Sequence, residues 1–142
     1  MFEANTIMET NVLTVTRETP IYDAIEILSK NDITGLPVVD DDNALVGVVS
    51  EKDVLHLLSN LDNLMVVPEL KHSIATVDDF MTKEVVSFDQ EDDLFDICEC
   101  LIDNNFRRVP VTSKGKVVGI ISRRDVVAFV LKMRKKDKAA SA

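Results

Sequence analysis

Two short stretches of the 142-residue chain carry side chains whose types and spacing could do chemistry. The first reads Gly47-Val48-Val49-Ser50-Glu51-Lys52-Asp53 and the second Gly119-Ile120-Ile121-Ser122-Arg123-Arg124-Asp125. In both, a small apolar run ends in a Ser, and an Asp follows three residues on. The run has the character of a buried strand. An apolar-periodic stretch begins directly after the Ser (Val54, Leu55, Leu57, Leu58; Val126, Val127, Val130, Leu131). Ser before such a stretch is a helix N-cap signal. Each copy therefore puts a hydroxyl, a carboxylate and free backbone N–H groups at one strand-to-helix corner. That set can hold a ligand bearing both hydroxyls and a phosphate. The same residues also suit plain capping, because a carboxylate in the first turn complements the helix dipole.

Other chemistries find less support. His56 and His72 are the only histidines, and they occupy unmatched positions. No Ser–His–Asp order, metal-spaced Cys/His set, or Walker or Rossmann glycine pattern is present, so no catalytic residue and no metal ligand is assigned. The run Asp40-Asp41-Asp42-Asn43 lacks the later Gly and Glu of a calcium loop. Cys98 and Cys100 lie two apart in a helical pattern, point to different faces, and fit buried reduced thiols of a cytosolic protein. Residues 1–104 carry 5 Lys/Arg against 23 Asp/Glu, whereas residues 105–142 carry 11 against Asp125 and Asp137. The tail Lys132–Lys138 complements a helix C-terminus. Arg107, Arg108, Arg123 and Arg124 cluster at or just before the second corner, as phosphate recognition would require. With a net charge of −9 the chain is a poor general binder of nucleic acid. No apolar run approaches the roughly 18 residues of a membrane span, and Met1–Asn5 lacks the pattern of a secretory signal.

The elements that must position these corners recur with them. Val12–Val15 reads as a short strand. Thr19-Pro20 reads as a helix start with Thr as cap, and Ile21, Ala24, Ile25 and Leu28 fall on one helical face. Asn31 and Asp32 close that helix. Leu36-Pro37-Val38-Val39 and Ala44–Val49 form a hairpin across the acidic turn, and a helix runs from Ser50 to about Leu61. The pattern restarts after an irregular stretch. Phe80-Met81-Thr82 echoes Ile7-Met8-Glu9, and Val85–Phe88 echoes the first strand. Leu94, Ile97, Cys98 and Leu101 take the helical positions, Val109-Pro110-Val111 the Pro strand, and Ser113–Lys116 a turn one residue shorter. A single repeat of roughly 60 residues would bury only about 60% of its unfolded surface, so two copies are expected to share a core.

The repeat resembles the cystathionine-β-synthase (CBS) domain, and the tandem resembles a stand-alone Bateman module over about residues 5–135. Three marks in each copy carry this: the Met before the first strand (Met8; Met81), the apolar-Pro-Val strand, and the Gly-h-h-Ser-x-x-Asp corner. The resemblance implies an α/β (α+β) fold of two β-α-β-β-α repeats with pseudo-two-fold symmetry. The expected division is a first repeat at 5–61, a linker at 62–75, a second repeat at 76–136 and a flexible basic tail at 137–142. It also implies adenosine ligands in clefts between the repeats. Asp53 and Asp125 would take the ribose hydroxyls, with Ser50 and Ser122 beside them. Adenine would lie against Ile33, Gly35 and Leu13 in one cleft and against Phe106, Arg108 and Val86 in the other. Core packing, or a turn for Gly35, is the competing reading of these apolar positions. Arg107, Arg108, Arg124 and Lys52 would meet phosphate. Charge placement favours a phosphorylated ligand in the Asp53 cleft and a less charged one in the Asp125 cleft. The implied function is a cytoplasmic regulatory sensor that needs no cofactor and is not an enzyme. It would bind AMP, ADP or ATP ahead of S-adenosylmethionine or NAD, form a homodimer and act on an unknown effector protein. The alternative is a ligand-free structural or dimerisation pair acting through a protein partner.

Overall fold

The computed structural model describes residues 2–59 and 75–141. They form two units, and the leading segment of each repeat folds with the other repeat. One unit comprises Leu13–Val85 with Gly115–Val117, and the other comprises Met1–Val12, Val86–Lys114 and Val118–Ala142.

In the first of these units, helix α1 (Ile21–Lys30) buries Ile21, Ala24 and Leu28 at helical spacing. Its N-cap is Pro20, not Thr19 as the sequence suggests. The Thr19 hydroxyl instead accepts the Thr16 N–H at 3.0 Å, which closes the preceding turn. Asn31 ends α1 by donating its side-chain amide to the Ile27 carbonyl at 2.8 Å. Strands β1 (Gly35–Val39) and β2 (Leu45–Ser50) pair antiparallel, with Gly35 opposite Ser50. The turn between them is held by Asp40 Oδ1, which accepts the N–H groups of Asp42 and Ala44, both at 2.9 Å. Helix α2 spans Glu51–Ser59. The expected strand Val12–Val15 reduces to one parallel bridge between Val15 and Val38. Pro37 has no N–H with which to carry that ladder back toward Leu13. Helix α3 (Val77–Phe80) starts in a reciprocal cap between Thr76 and Asp79. Its Val77 is fully buried in the core around Ile21, Leu36, Val38 and Val49. Residues 62–74 of the expected linker lie outside the described residues, and Ala75 packs in this same core.

In the second unit, Ala4 is fully buried, and its N–H donates to the Asp92 carbonyl at 2.9 Å. Strand β3 (Phe88–Asp89) pairs parallel with β4 (Arg108–Ser113). Helix α4 (Leu94–Asp103) is capped by Asp93, whose Oδ1 accepts the Phe95 N–H at 2.9 Å. It buries Leu94, Ile97 and Leu101 as α1 buries its three. Between β4 and β5 (Lys116–Ser122), Lys114 and Gly115 both have positive φ, 54° and 81°. A two-residue turn of that kind matches the strand twist and accounts for the shorter loop. Helix α5 runs from Arg123 to Ser141, so residues 137–141, expected as a flexible tail, continue the helix.

The two glycines of the repeated motif have a packing role. A Cβ on Gly47 would stand 2.8 Å from Met81 Sδ, and one on Gly119 would stand 2.5 Å from Met8 Sδ. The Met before each first strand therefore packs on the glycine of the other repeat's corner.

Candidate functional site

Each corner is built by a strand that ends in Ser and a helix that starts at the next residue. At the first, Ser50 donates its N–H and its hydroxyl to Asp53 Oδ2 at 2.8 and 3.0 Å. The Asp53 N–H returns to Ser50 Oγ at 3.4 Å. Asp53 Oδ1 accepts the Thr82 hydroxyl at 3.3 Å. Asp53 is only 7% exposed. A carboxylate can sit so deep because three donors replace its water.

The second corner is more open. Ser122 N–H donates to Asp125 Oδ2 at 2.9 Å, and Asp125 N–H donates to Ser122 Oγ at 3.2 Å. Asp125 is half-buried, and among the described residues its Oδ1 has no hydrogen-bond partner. It lines a pocket of about 390 Å³ whose wall includes Phe2, Ile7, Phe129, Lys132 and Lys136. The Phe2 and Phe129 rings meet edge to face at 5.0 Å. Sequence reasoning left Lys132 and Lys136 as helix-end charge. Their signal was present, since Asp125, Phe129, Lys132 and Lys136 recur at the spacing of one helical face.

The remaining expected site residues sort by exposure. Leu13 and Val86, at matching repeat positions, are each 43% exposed, and Phe106 is 36% exposed. This departs from the core reading for all three. Ile33 is half-buried and packs against the core of its unit. Gly35 serves no turn. It lies in β1 beside Ser50, and a Cβ there would meet only ordinary contacts, the nearest at 3.5 Å from the Val49 carbonyl oxygen. Lys52, Arg107 and Arg124 are exposed. Arg108 is half-buried, with its Nε shielded from solvent. Arg123 is set apart from this cluster by its own bonds. Its Nε donates to the Phe106 carbonyl at 2.7 Å and its Nη2 to Asn105 Oδ1 at 2.9 Å, which ties down the loop after α4. The Cys98 thiol is pushed above its ordinary range by burial and, secondarily, by the Asp93 charge, so it is poorly suited to nucleophilic work. Among the described residues, no helix is long and apolar enough to cross a membrane.

The second corner alone combines a carboxylate oxygen without a partner among the described residues with a pocket lined by apolar side chains and two lysines. The family model of the CBS domain matches residues 4–60 and 77–132. The chloroplastic CBS domain-containing protein CBSX2 of Arabidopsis thaliana is 34% identical over 145 residues, covering 88% of this chain and 61% of that protein. An uncharacterized protein of Methanocaldococcus jannaschii is 34% identical over 125 residues, covering 87% of this chain and 41% of its own length. The chain thus spans about half the length of the curated relatives it matches. The crystal structure of CBSX2 in complex with AMP has a TM-score of 0.81 to this structure at 34% identity, covering 94% of this chain and 99% of that one. The family model matches twice in tandem over most of the sequence, and the chain belongs to the CBS-domain family.

Proposed function

We propose that this CBS pair is a regulatory module that binds an adenosine nucleotide at its Ser-x-x-Asp corners and changes the packing of its repeats in response. One observation carries the reading. Asp125, whose Oδ1 has no hydrogen-bond partner among the described residues, lines a pocket together with Phe2, Ile7, Phe129, Lys132 and Lys136. A carboxylate can accept both hydrogens of a ribose diol, and each bond to a charged acceptor contributes about 1.5–3 kcal/mol. The likeness to CBSX2, whose crystal structure holds AMP, supports the same class of ligand here. In this reading Asp125 and Asp53 accept ribose hydroxyls, and Ser122 and Ser50 hold them in place. Phe106, Val86, Leu13, Ile33 and Gly35 flank adenine. Arg107, Arg108, Arg124 and Lys52 meet phosphate, and Lys132 and Lys136 add positive charge along α5. AMP, ADP and ATP fit this charge better than S-adenosylmethionine or NAD. The module is regulatory rather than enzymatic, and its free thiols Cys98 and Cys100 suit the reducing cytoplasm.

The test is a thermal and calorimetric titration with AMP, ADP, ATP, S-adenosylmethionine and NAD. Ligand at 100 times its dissociation constant should stabilise the protein by about 2.7 kcal/mol, and the shift should vanish in the Asp53→Ala, Asp125→Ala double variant. No shift in nucleotide-free protein would refute the reading. A second reading, a pair that works by dimerising and docking an effector protein without any ligand, is favoured by one specific feature. Phe95 and Ile102 on α4, and Val127, Val130 and Leu131 on α5, are 53–76% exposed. A homodimer covering these faces is compatible with both readings. Sedimentation should show a dimer that Ile102→Glu with Val130→Glu converts to monomer.

A further inference from the structure

Asp53 and Asp125 hold the same place in the two corners, yet their carboxylates are not in the same state. Asp53 Oδ1 already accepts a hydroxyl, that of Thr82 at 3.3 Å. Thr82 is held there by the backbone, since it exchanges hydrogen bonds with Val48 at 2.8 and 3.0 Å. In the second unit the equivalent residue is Glu9, which exchanges the same bonds with Ile120 at 2.9 and 3.0 Å. An ionised Glu has no proton to donate. Its Oε1 instead accepts the Asn11 N–H at 2.9 Å. Asp125 Oδ1 is consequently left without a partner among the described residues, and Asp125 lines the pocket.

We propose that the Thr82 hydroxyl occupies the acceptor that a ribose hydroxyl would use, so that the two corners fill in order, Asp125 first and Asp53 only after Thr82 lets go. The inference rests on the adenosine reading above and names the residue that sets the rank of its two seats. At Asp125 a ribose hydroxyl adds a bond to an oxygen that has none. At Asp53 it exchanges one hydroxyl for another, and the exchange returns little net free energy. This ordering is the reverse of the one that charge placement alone suggests. Thr82 is a positioning residue here, with its backbone fixed by Val48 and its side chain acting as an internal competitor.

Calorimetric titration of the full chain with AMP, together with 2′-deoxy-AMP to check that the diol is read, tests this. Wild type should show one tight site that Asp125→Ala removes. Thr82→Val should tighten the second site by about tenfold, the value of one bond to a charged acceptor, and Thr82→Ser should behave as wild type. A purely structural role for Thr82 would not raise affinity. Glu9→Thr, which places a competing hydroxyl beside Asp125, should weaken the tight site by about tenfold. It decides the matter if Thr82→Val fails to fold. Two equal sites in wild type, or a tight site insensitive to Glu9→Thr with a second site insensitive to Thr82→Val, would overturn the ordering and leave nucleotide binding standing. An absence of heat in every variant would overturn both.

Discussion

The Asp of each corner serves the fold before it serves any ligand. Asp53 accepts three hydrogen bonds from a nearly buried position, and Asp125 accepts one from a half-open position. Their truncations should therefore differ. Asp53→Ala strands the Ser50 and Thr82 donors and should cost about 2–3 kcal/mol, while Asp125→Ala loses one cap bond and should cost about 1 kcal/mol. Urea unfolding of the two variants without ligand measures the gap. The Ser and Asp of both corners were legible because capping is local, with partners three residues apart. The Thr82–Asp53 bond was not, because its partners are 29 residues apart and neither side chain advertises the other. Arg123 teaches the same lesson in reverse. Its charge counted it in the arginine cluster at the second corner, and the carbonyl of Phe106, 17 residues earlier, claims its Nε.

At the scale of the element, helical spacing was the surest guide. Ile21, Ala24 and Leu28, and again Leu94, Ile97 and Leu101, are the residues each helix buries. Strands read less well, because a strand needs a neighbour to supply its ladder. Pro37 withholds an N–H, and so the Val12–Val15 run bridges only at Val15. The Pro strand and corner strand survive because they pair with each other across a short turn. The motif glycine was read as part of a ligand corner, and its packing role appears only in three dimensions. Gly119→Ala should destabilise the protein by about 1–3 kcal/mol through overpacking against Met8. Adding Met8→Ala should recover part of that loss, a coupling that a double-mutant cycle measures.

At the scale of the molecule, the tandem repeat was visible as matched residues at a nearly constant offset. The exchange of leading segments was not, since similarity between two copies does not say which copy a segment packs on. Residues 2–9 carry the second unit's Ala4, the Met8 contact with Gly119 and the Phe2 carbonyl that accepts the Leu94 N–H at 2.8 Å. Deleting residues 1–9 should strip hydrogen-exchange protection from Ile97 and Leu101 in α4 and spare Ala24 and Leu28 in α1. Amide exchange followed by mass spectrometry reads this directly.

The exchanged leads also bear on how the chain is made. During synthesis residues 2–9 emerge well before their partners, because Asp92, Gly119 and Ile120 are made about ninety or more residues later. Until then this partly apolar segment lacks the hydrogen bonds and the glycine contact that hold it in the second unit. Closure of so long a loop is slow compared with local helix formation. The birth of the second unit is therefore a late event, and a nascent chain halted before Asp125 would expose Phe2, Ile7 and Met8 to whatever chaperone stands at the tunnel exit.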